Sequence, residues 1–110
     1  MIAEVAERFP GLPLIMGHMG CSEACKSTGV VEEAIQVARA SDNVFLETSR
    51  VILTSCIKKA VRVVGDTRII FGSDTPFGSQ IDEIHTIMRA GLPESSLSRI
   101  FANNIEELLR

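Results

Sequence analysis

Two short apolar stretches of the sequence each end in a side chain suited to proton or metal chemistry. The stretch LIMGHMG ends its apolar run at His18, and IIFGSDTPFG ends its run close to Asp74. Histidine titrates near neutral pH, so His18 could accept a proton from water or donate one to a leaving group. A carboxylate can bind a divalent cation or shuttle the proton of a metal-bound water, which makes Asp74 a candidate metal ligand. Together they would supply part, though not all, of a metal-assisted hydrolysis.

Apolar segments and amphipathic helical patterns alternate along the chain and would position these two side chains. Each apolar segment is short and apolar throughout, which is typical of a strand covered on both faces. This alternation predicts an α/β fold of three successive βα units with parallel strands and right-handed crossovers. The predicted strands are residues 12–18, 44–48 and 68–72, and the predicted helices are residues 2–9, 30–40, 51–64 and 81–90, followed by a helical tail that Asn103 or Asn104 could cap.

Polar residues follow all three predicted strands at the same end. His18 follows the first, Thr48 and Ser49 the second, and Asp74 the third. Active groups of parallel α/β folds gather at the carboxyl ends of the strands, so the shared position predicts one common site. A different interpretation stays open: His18 and Asp74 are structural, and the chain is a non-catalytic, compact α/β binding or assembly module.

Length and charge narrow the possible functions. The chain has 110 residues, enough for one domain, and 11 Lys plus Arg against 14 Asp plus Glu give a net charge of −3. Without a basic cluster to follow a phosphate backbone, a nucleic-acid partner is not expected. No apolar stretch approaches the ~20 residues that span a bilayer, so we expect a cytoplasmic protein with no membrane partner.

The three cysteines are expected to be reduced thiols. Cys21, Cys25 and Cys56 are an odd number, and the N-terminus has no apolar export signal, so a disulfide framework is not predicted. Cys56 lies within the third helical pattern and is expected to pack there. His18 with Cys21 and Cys25 also reads as H-x2-C-x3-C, but a structural zinc site normally has four ligands and this pattern offers three.

Four stretches, taken in order, resemble landmarks of the amidohydrolase-related family of metal-dependent hydrolases and decarboxylases. They are FPGLPLIMGHMG, NVFLETS, RIIFGSDTPFG and IFANNIEELL, and they extend over nearly the whole chain. The most specific are the histidine-glycine strand end at 18–20 and the G-S-D-x-P-F-G turn at 72–78. The tail, with Asn104 placed as in the family's I-L-G-x-N-A pattern, agrees with them.

The resemblance implies a fold and a role for each candidate residue. Family members are (β/α)8 barrels, and the three strands resemble the sixth, seventh and eighth of the barrel. His18 then matches the histidine that activates water or polarises the substrate, and Asp74 matches the metal ligand and proton carrier of the eighth strand. Thr48 and Ser49 would line the pocket and contact a small-molecule substrate, which the resemblance implies is carboxylated and cyclic.

Other family landmarks have no counterpart in this sequence. The H-x-H pair of the first strand and the metal-binding histidine of the fifth strand are missing, so residues 1–110 are expected to form a single partial barrel from the C-terminal portion of such an enzyme. A divalent ion, zinc in the first instance, would be the cofactor of the complete enzyme and bind only weakly here. The open strand edges predict self-association, or pairing with a complementary portion of the barrel.

Overall fold

A sheet of three parallel strands forms the centre of the molecule, which a computed structural model describes for residues 1–25 and 27–110. The strands are ordered β1-β2-β3 along the sheet, and both pairings are parallel. Met16 lies opposite Leu46, and Leu46 lies opposite Ile69. The predicted α/β fold with parallel strands is confirmed. The strands are β1 (Leu14–Met16), β2 (Val44–Glu47) and β3 (Ile69–Ile70), each shorter than its apolar segment.

The helices cover the sheet in the predicted order. The third helix begins at Thr54, three residues later than predicted, because Val51 forms an isolated parallel β-bridge with Cys25. No helix in the described part of the chain combines the length and the hydrophobicity needed to cross a membrane. The helices are α1 (Ile2–Arg8), α2 (Gly29–Ala40), α3 (Thr54–Val64), α4 (Gln80–Arg89), α5 (Glu94–Ser98) and α6 (Asn104–Leu108), with a π-helical turn at Arg99–Asn103 between the last two.

The two faces of the sheet differ in burial. Val44, Leu46 and Ile69 are fully buried and pack in one core with α2 and α3, represented by Ile35 and Ile57. Side chains alternate between faces along a strand, so Ile15, Phe45 and Glu47 project from the other face. There Ile15 remains 49% exposed. One face of the sheet is therefore fully covered by helices, and the other face exposes apolar surface to solvent at its β1 edge.

Asn104 attaches the C-terminal helices to the sheet instead of capping a helix. Its buried side-chain amide donates to the carbonyl of Asp66 at 2.6 Å and to the carbonyl of Ile69 at 2.8 Å. Neither Asn103 nor Asn104 makes a side-chain cap bond at α6, so the predicted cap is wrong. The amide points inward because the carbonyls of Asp66, in the turn before β3, and of Ile69, at its start, both accept from it.

The expectation of three reduced cysteines is also wrong. Cys21 and Cys25 are joined in a disulfide, and their Cα atoms are 5.8 Å apart. The Cys25 N–H donates to the Arg50 carbonyl at 2.9 Å, a contact with a distant residue that no local sequence pattern predicts. The two thiols of the H-x2-C-x3-C pattern thus bond to each other. Cys56 is a free thiol buried on α3, as expected.

Candidate functional site

A cleft of about 480 Å³ opens at the carboxyl edge of the sheet. His18, Arg50 and Asp74 line it, each from the loop that follows one of the three strands. Phe77 and residues 22–24 complete the lining. The structure therefore brings His18 and Asp74 into one cleft and adds Arg50, which the sequence did not single out.

His18 occupies a left-handed backbone conformation directly after β1. Its φ is 54° and that of Met19 is 46°, both within the tight turn Gly17–Gly20. A side chain in this region costs about 1–2 kcal/mol, so the surroundings must hold it there. The His18 backbone N–H donates to Oε2 of Glu47 at 2.8 Å, and the Met19 side chain is fully buried beneath the turn. These contacts hold the His18 imidazole over the carboxyl ends of the strands.

Glu47, the last residue of β2, accepts hydrogen bonds from both neighbouring loop residues. Besides the His18 N–H, its carboxylate accepts from the Ser49 backbone N–H at 2.8 Å and from the Ser49 hydroxyl at 2.9 Å. Gly72 gives the carboxylate its space, because a Cβ there would overlap Oε1 of Glu47. Sequence reasoning missed Glu47, although a charged residue ending the otherwise apolar VFLE strand was an available signal.

The His18 ring lies between Ser49 and Asp74. Nδ1 is 2.7 Å from the Ser49 hydroxyl oxygen and 3.2 Å from the Ser49 carbonyl oxygen. Nε2 is 3.9 Å from Oδ1 of Asp74, and both side chains are 28% exposed. One ring nitrogen is therefore held by the protein, and the other faces the cleft.

Thr48 and Ser49 lie beneath the cleft surface. Both are almost completely buried, and the Thr48 hydroxyl oxygen accepts from the Gly72 backbone N–H at 3.4 Å. Ser49 is engaged with Glu47 and His18. Both side chains thus contact residues of the loops that line the cleft. Because they are buried, neither could touch a bound molecule directly unless the residues above it moved.

Asp74 sits on a tightly turned loop after β3. Its φ is 55°, and its carbonyl accepts from the Gly78 N–H at 2.8 Å, which closes the turn. Oδ2 is 3.8 Å from Nε of Arg50. At this distance, as at the 3.9 Å to His18, the charges attract without forming a hydrogen bond. The Asp74 carboxylate thus has a cation beside it and room for a further partner.

Arg50 is held at the mouth of the cleft by the loop that follows β3 and by α4. Its φ is 63°, its backbone N–H donates to Oε1 of Glu83 at 3.2 Å, and its Nη1 donates to the Phe77 carbonyl at 2.8 Å. Burial raises the pKa of the Glu83 carboxyl, and the bond from the Arg50 N–H opposes that rise. A buried carboxylate in α4 thus fixes the backbone of the loop that carries Arg50.

The side chains of the cleft do not complete a metal site by themselves. Catalytic zinc sites normally have three protein ligands, and His18 Nε2 and the Asp74 carboxylate make two. Glu47 is occupied by three donors. Across residues 1–25 and 27–110, no group of three or more His, Cys, Asp or Glu side chains is arranged to hold a metal ion.

A family profile described as amidohydrolase matches residues 1–110, the whole length of the chain. No curated protein is a significant match to the sequence. Solved structures show the same fold at low identity. The 5-carboxyvanillate decarboxylase of Sphingomonas paucimobilis superposes with a TM-score of 0.72 at 19% identity over 96% of this chain.

Two further solved structures carry metal. A dihydroxybenzoic acid decarboxylase from Polaromonas sp. JS666, with bound manganese and the inhibitor 2-nitroresorcinol, gives a TM-score of 0.71 at 20% identity over 96% of this chain. An amidohydrolase from Burkholderia multivorans with bound zinc gives 0.75 at 17% identity, also over 96%. The chain spans only 36% of the length of each decarboxylase and 46% of the third protein.

Proposed function

The chain belongs to the amidohydrolase family, and from this premise we propose that it supplies one part of the active site of a metal-dependent enzyme. The reaction is hydrolysis, or decarboxylation without oxidation, of a small carboxylated cyclic compound. The chain covers 36% to 46% of the three solved structures above, so the rest of that active site lies on other strands. Alone, the chain has little or no turnover.

One observation carries this proposal: His18 and Asp74 share a cleft at the carboxyl ends of parallel strands. Their side chains come from loops 56 residues apart in sequence, yet Nε2 and Oδ1 are 3.9 Å apart. Both have backbone φ values above 50°, which cost free energy in a side-chain-bearing residue. Strained backbone conformations cluster at functional sites, which favours a catalytic pair over a purely structural one.

Arg50 supports a carboxylated substrate. Its guanidinium lies in the same cleft, and Nη1 uses one of its hydrogens on the Phe77 carbonyl. A guanidinium has five N–H donors and suits a carboxylate geometrically, so several donors remain for a ligand. Phe77, 81% exposed at the rim, offers an apolar surface for a ring.

The His18 imidazole can move a proton in either reaction. In hydrolysis, Nε2 accepts the proton of the attacking water and returns it to the leaving atom. In decarboxylation, the bonding electron pair stays on the ring carbon as carbon dioxide departs, and a proton carried on Nε2 fills that position. The Asp74 carboxylate, 3.9 Å from Nε2, stabilises the protonated ring in both cases.

In the complete enzyme we propose zinc or another divalent ion, with Asp74 as one of its ligands. The other ligands must come from outside the described cleft, since His18 and Asp74 alone fall short of three. Calorimetric titration of the purified chain with zinc should therefore show weak binding. Tight stoichiometric binding would contradict this proposal.

The partner we propose is a second copy of the chain or a polypeptide carrying the missing barrel strands. β1 and β3 are edge strands of the sheet, and Ile15 on the open face is 49% exposed. Unpaired edges and exposed apolar side chains favour further strand pairing. Light scattering should show association, and a monomer that binds no hydrophobic dye would contradict it.

The catalytic proposal is tested by combining the chain with a polypeptide that carries the missing strands, in the presence of zinc or manganese. Carbon dioxide release from hydroxylated benzoic acids and hydrolysis of cyclic amides are then measured. His18→Asn should lower the rate by about 10²- to 10⁴-fold, the range for loss of a general acid or base. His85→Asn, at an exposed position of α4, is the matched control and should leave the rate unchanged. Equal rates for the two variants would refute the role of His18.

A further inference from the structure

The Ser49 hydroxyl lies between the Glu47 carboxylate and the His18 ring. The hydroxyl has a single hydrogen, and it is donated to Oε2 of Glu47 at 2.9 Å. Its oxygen, 2.7 Å from Nδ1 of His18, can then only accept. The Ser49 carbonyl oxygen, 3.2 Å from the same nitrogen, is also an acceptor. Nδ1 therefore faces two acceptor oxygens, an arrangement that suits a protonated nitrogen.

The Glu47 carboxylate is the reason that the Ser49 hydroxyl donates its hydrogen away from the His18 ring. Its other two bonds come from the backbone N–H groups of His18 and Ser49, which can only donate, so its carboxylate acts throughout as an acceptor. Gly72 leaves the space that the carboxylate fills, and the three bonds fix its orientation. Nδ1 of His18 is a competing acceptor for the hydroxyl hydrogen. If the hydrogen pointed there, the hydroxyl oxygen would face Oε2 of Glu47 at 2.9 Å, and Nδ1 would face the Ser49 carbonyl oxygen at 3.2 Å, with no hydrogen between either pair.

We infer that Glu47 is a positioning residue which, through Ser49, holds His18 in the tautomer with Nδ1 protonated and the lone pair of Nε2 directed into the cleft. The same carboxylate also secures the left-handed backbone of His18 through its N–H. Without this arrangement, the side chain would return toward the tautomer with Nε2 protonated, which imidazole side chains favour in water. The lone pair would then point away from any bound molecule.

The test observes the imidazole directly, in ¹H–¹⁵N correlation spectra of the chain labelled with ¹⁵N-histidine and recorded at alkaline pH. The chain has two histidines, and His85 is exposed, so it provides an internal reference. His18 should show a protonated Nδ1 and an unprotonated Nε2, whereas His85 should show the distribution found in water. A His18 ring with Nε2 protonated would overturn the inference without any substitution.

The role of Glu47 is then tested by Glu47→Ala. The proton-bearing preference of His18 should shift toward that of His85 by about fivefold, the factor that one ordinary hydrogen bond contributes to an equilibrium. Glu106→Ala removes an exposed carboxylate from α6 and should change neither ring. A folded Glu47→Ala chain with the wild-type His18 spectrum would overturn the inference.

If Glu47→Ala fails to fold, Ser49→Ala decides the question. It removes the link between the carboxylate and the ring but leaves the two backbone bonds to Glu47. A shift of His18 in the same direction supports the inference, and an unchanged spectrum overturns it. Because neither readout is a rate, a negative result here can be told apart from failure of the proposed catalytic function.

Discussion

Replacing Asn104 with alanine should destabilise the fold by releasing the C-terminal helices from the sheet. The Asn104 amide donates to the carbonyls of Asp66 and Ile69, at 2.6 and 2.8 Å. Ile69 begins β3, the strand that leads to Asp74. Alanine at this position would remove the donor of both hydrogen bonds.

The two lost bonds differ in burial and therefore in cost. The bond to Ile69 is buried, and leaving that carbonyl unpaired costs about 1–3 kcal/mol. The bond to Asp66 is partly buried, and its loss costs about 0.5–1.5 kcal/mol. We expect a total of about 1.5–4.5 kcal/mol, which in a domain of this size lowers Tm by roughly 6–36 °C.

Urea denaturation followed by circular dichroism measures this difference directly. Asn103→Ala is the matched control, because Asn103 is the exposed neighbour and its side chain makes no cap bond. Asn103→Ala should stay within about 0.5 kcal/mol of the wild type, as surface substitutions usually do. Equal free energies of unfolding for the two variants would refute the argument that Asn104 ties the helices to β3.

Three further predictions concern the stability of variants at Gly72, Glu83 and Asp66, and denaturation experiments can check each of them. Gly72→Ala should lower the free energy of unfolding by about 1–3 kcal/mol, because the new Cβ displaces the Glu47 carboxylate from its donors. Gly11→Ala is the control: a Cβ there meets nothing within 4 Å, so this variant should be neutral or slightly stabilising. Equal effects of the two variants would contradict the steric argument. Burial raises the pKa of Glu83, so its contribution to stability is present below its unfolded pKa of about 4.3 and is lost as pH rises through the folded value. Glu83→Gln should therefore gain stability relative to the wild type between pH 4 and pH 7, and a constant difference would contradict this. Hydrogen bonds from the Ser96 hydroxyl and, to a smaller extent, from Arg99 lower the pKa of Asp66. The contribution of Asp66 to stability is therefore present above its unfolded pKa of about 3.9 and is lost as pH falls through the folded value. Asp66→Asn should be less stable than the wild type at pH 6, and the difference should shrink on acidification.

Local patterns in the sequence were sufficient for the order and direction of the elements. The apolar runs around Leu46 and Ile69 alternate with amphipathic helices, and that alternation favours a parallel sheet whatever the details of packing. It also places His18 and Asp74 at the same sheet edge. The common cleft follows from topology alone, and the structure agrees.

Contacts between distant loops were not predictable in the same way. The disulfide of Cys21 and Cys25 depends on a loop held by the Arg50 carbonyl, which lies 25 residues beyond Cys25. Asn104 resembles a helix cap in sequence, and its inward direction is explained by the carbonyls of Asp66 and Ile69, which are distant in sequence.

Glu47 and Arg50 were missed because their roles depend on neighbours in space. Glu47 looks like an ordinary polar end to a strand until Gly72 and His18 are brought beside it. Arg50 follows the two hydroxyl residues that drew attention in the sequence, and its left-handed backbone is held by Glu83 from a helix 33 residues away. The polar layer beneath the cleft is therefore a product of tertiary structure.

The measurement that bears most directly on the central claim is a double-mutant cycle of His18→Asn and Asp74→Asn in the proposed enzyme, formed by combining the chain with a polypeptide that carries the other barrel strands. Two groups that act as one unit give losses that do not multiply, so the double variant should be about as slow as the slower single variant. Losses that multiply would show that the imidazole and the carboxylate act independently, and would contradict a single site at the ends of β1 and β3.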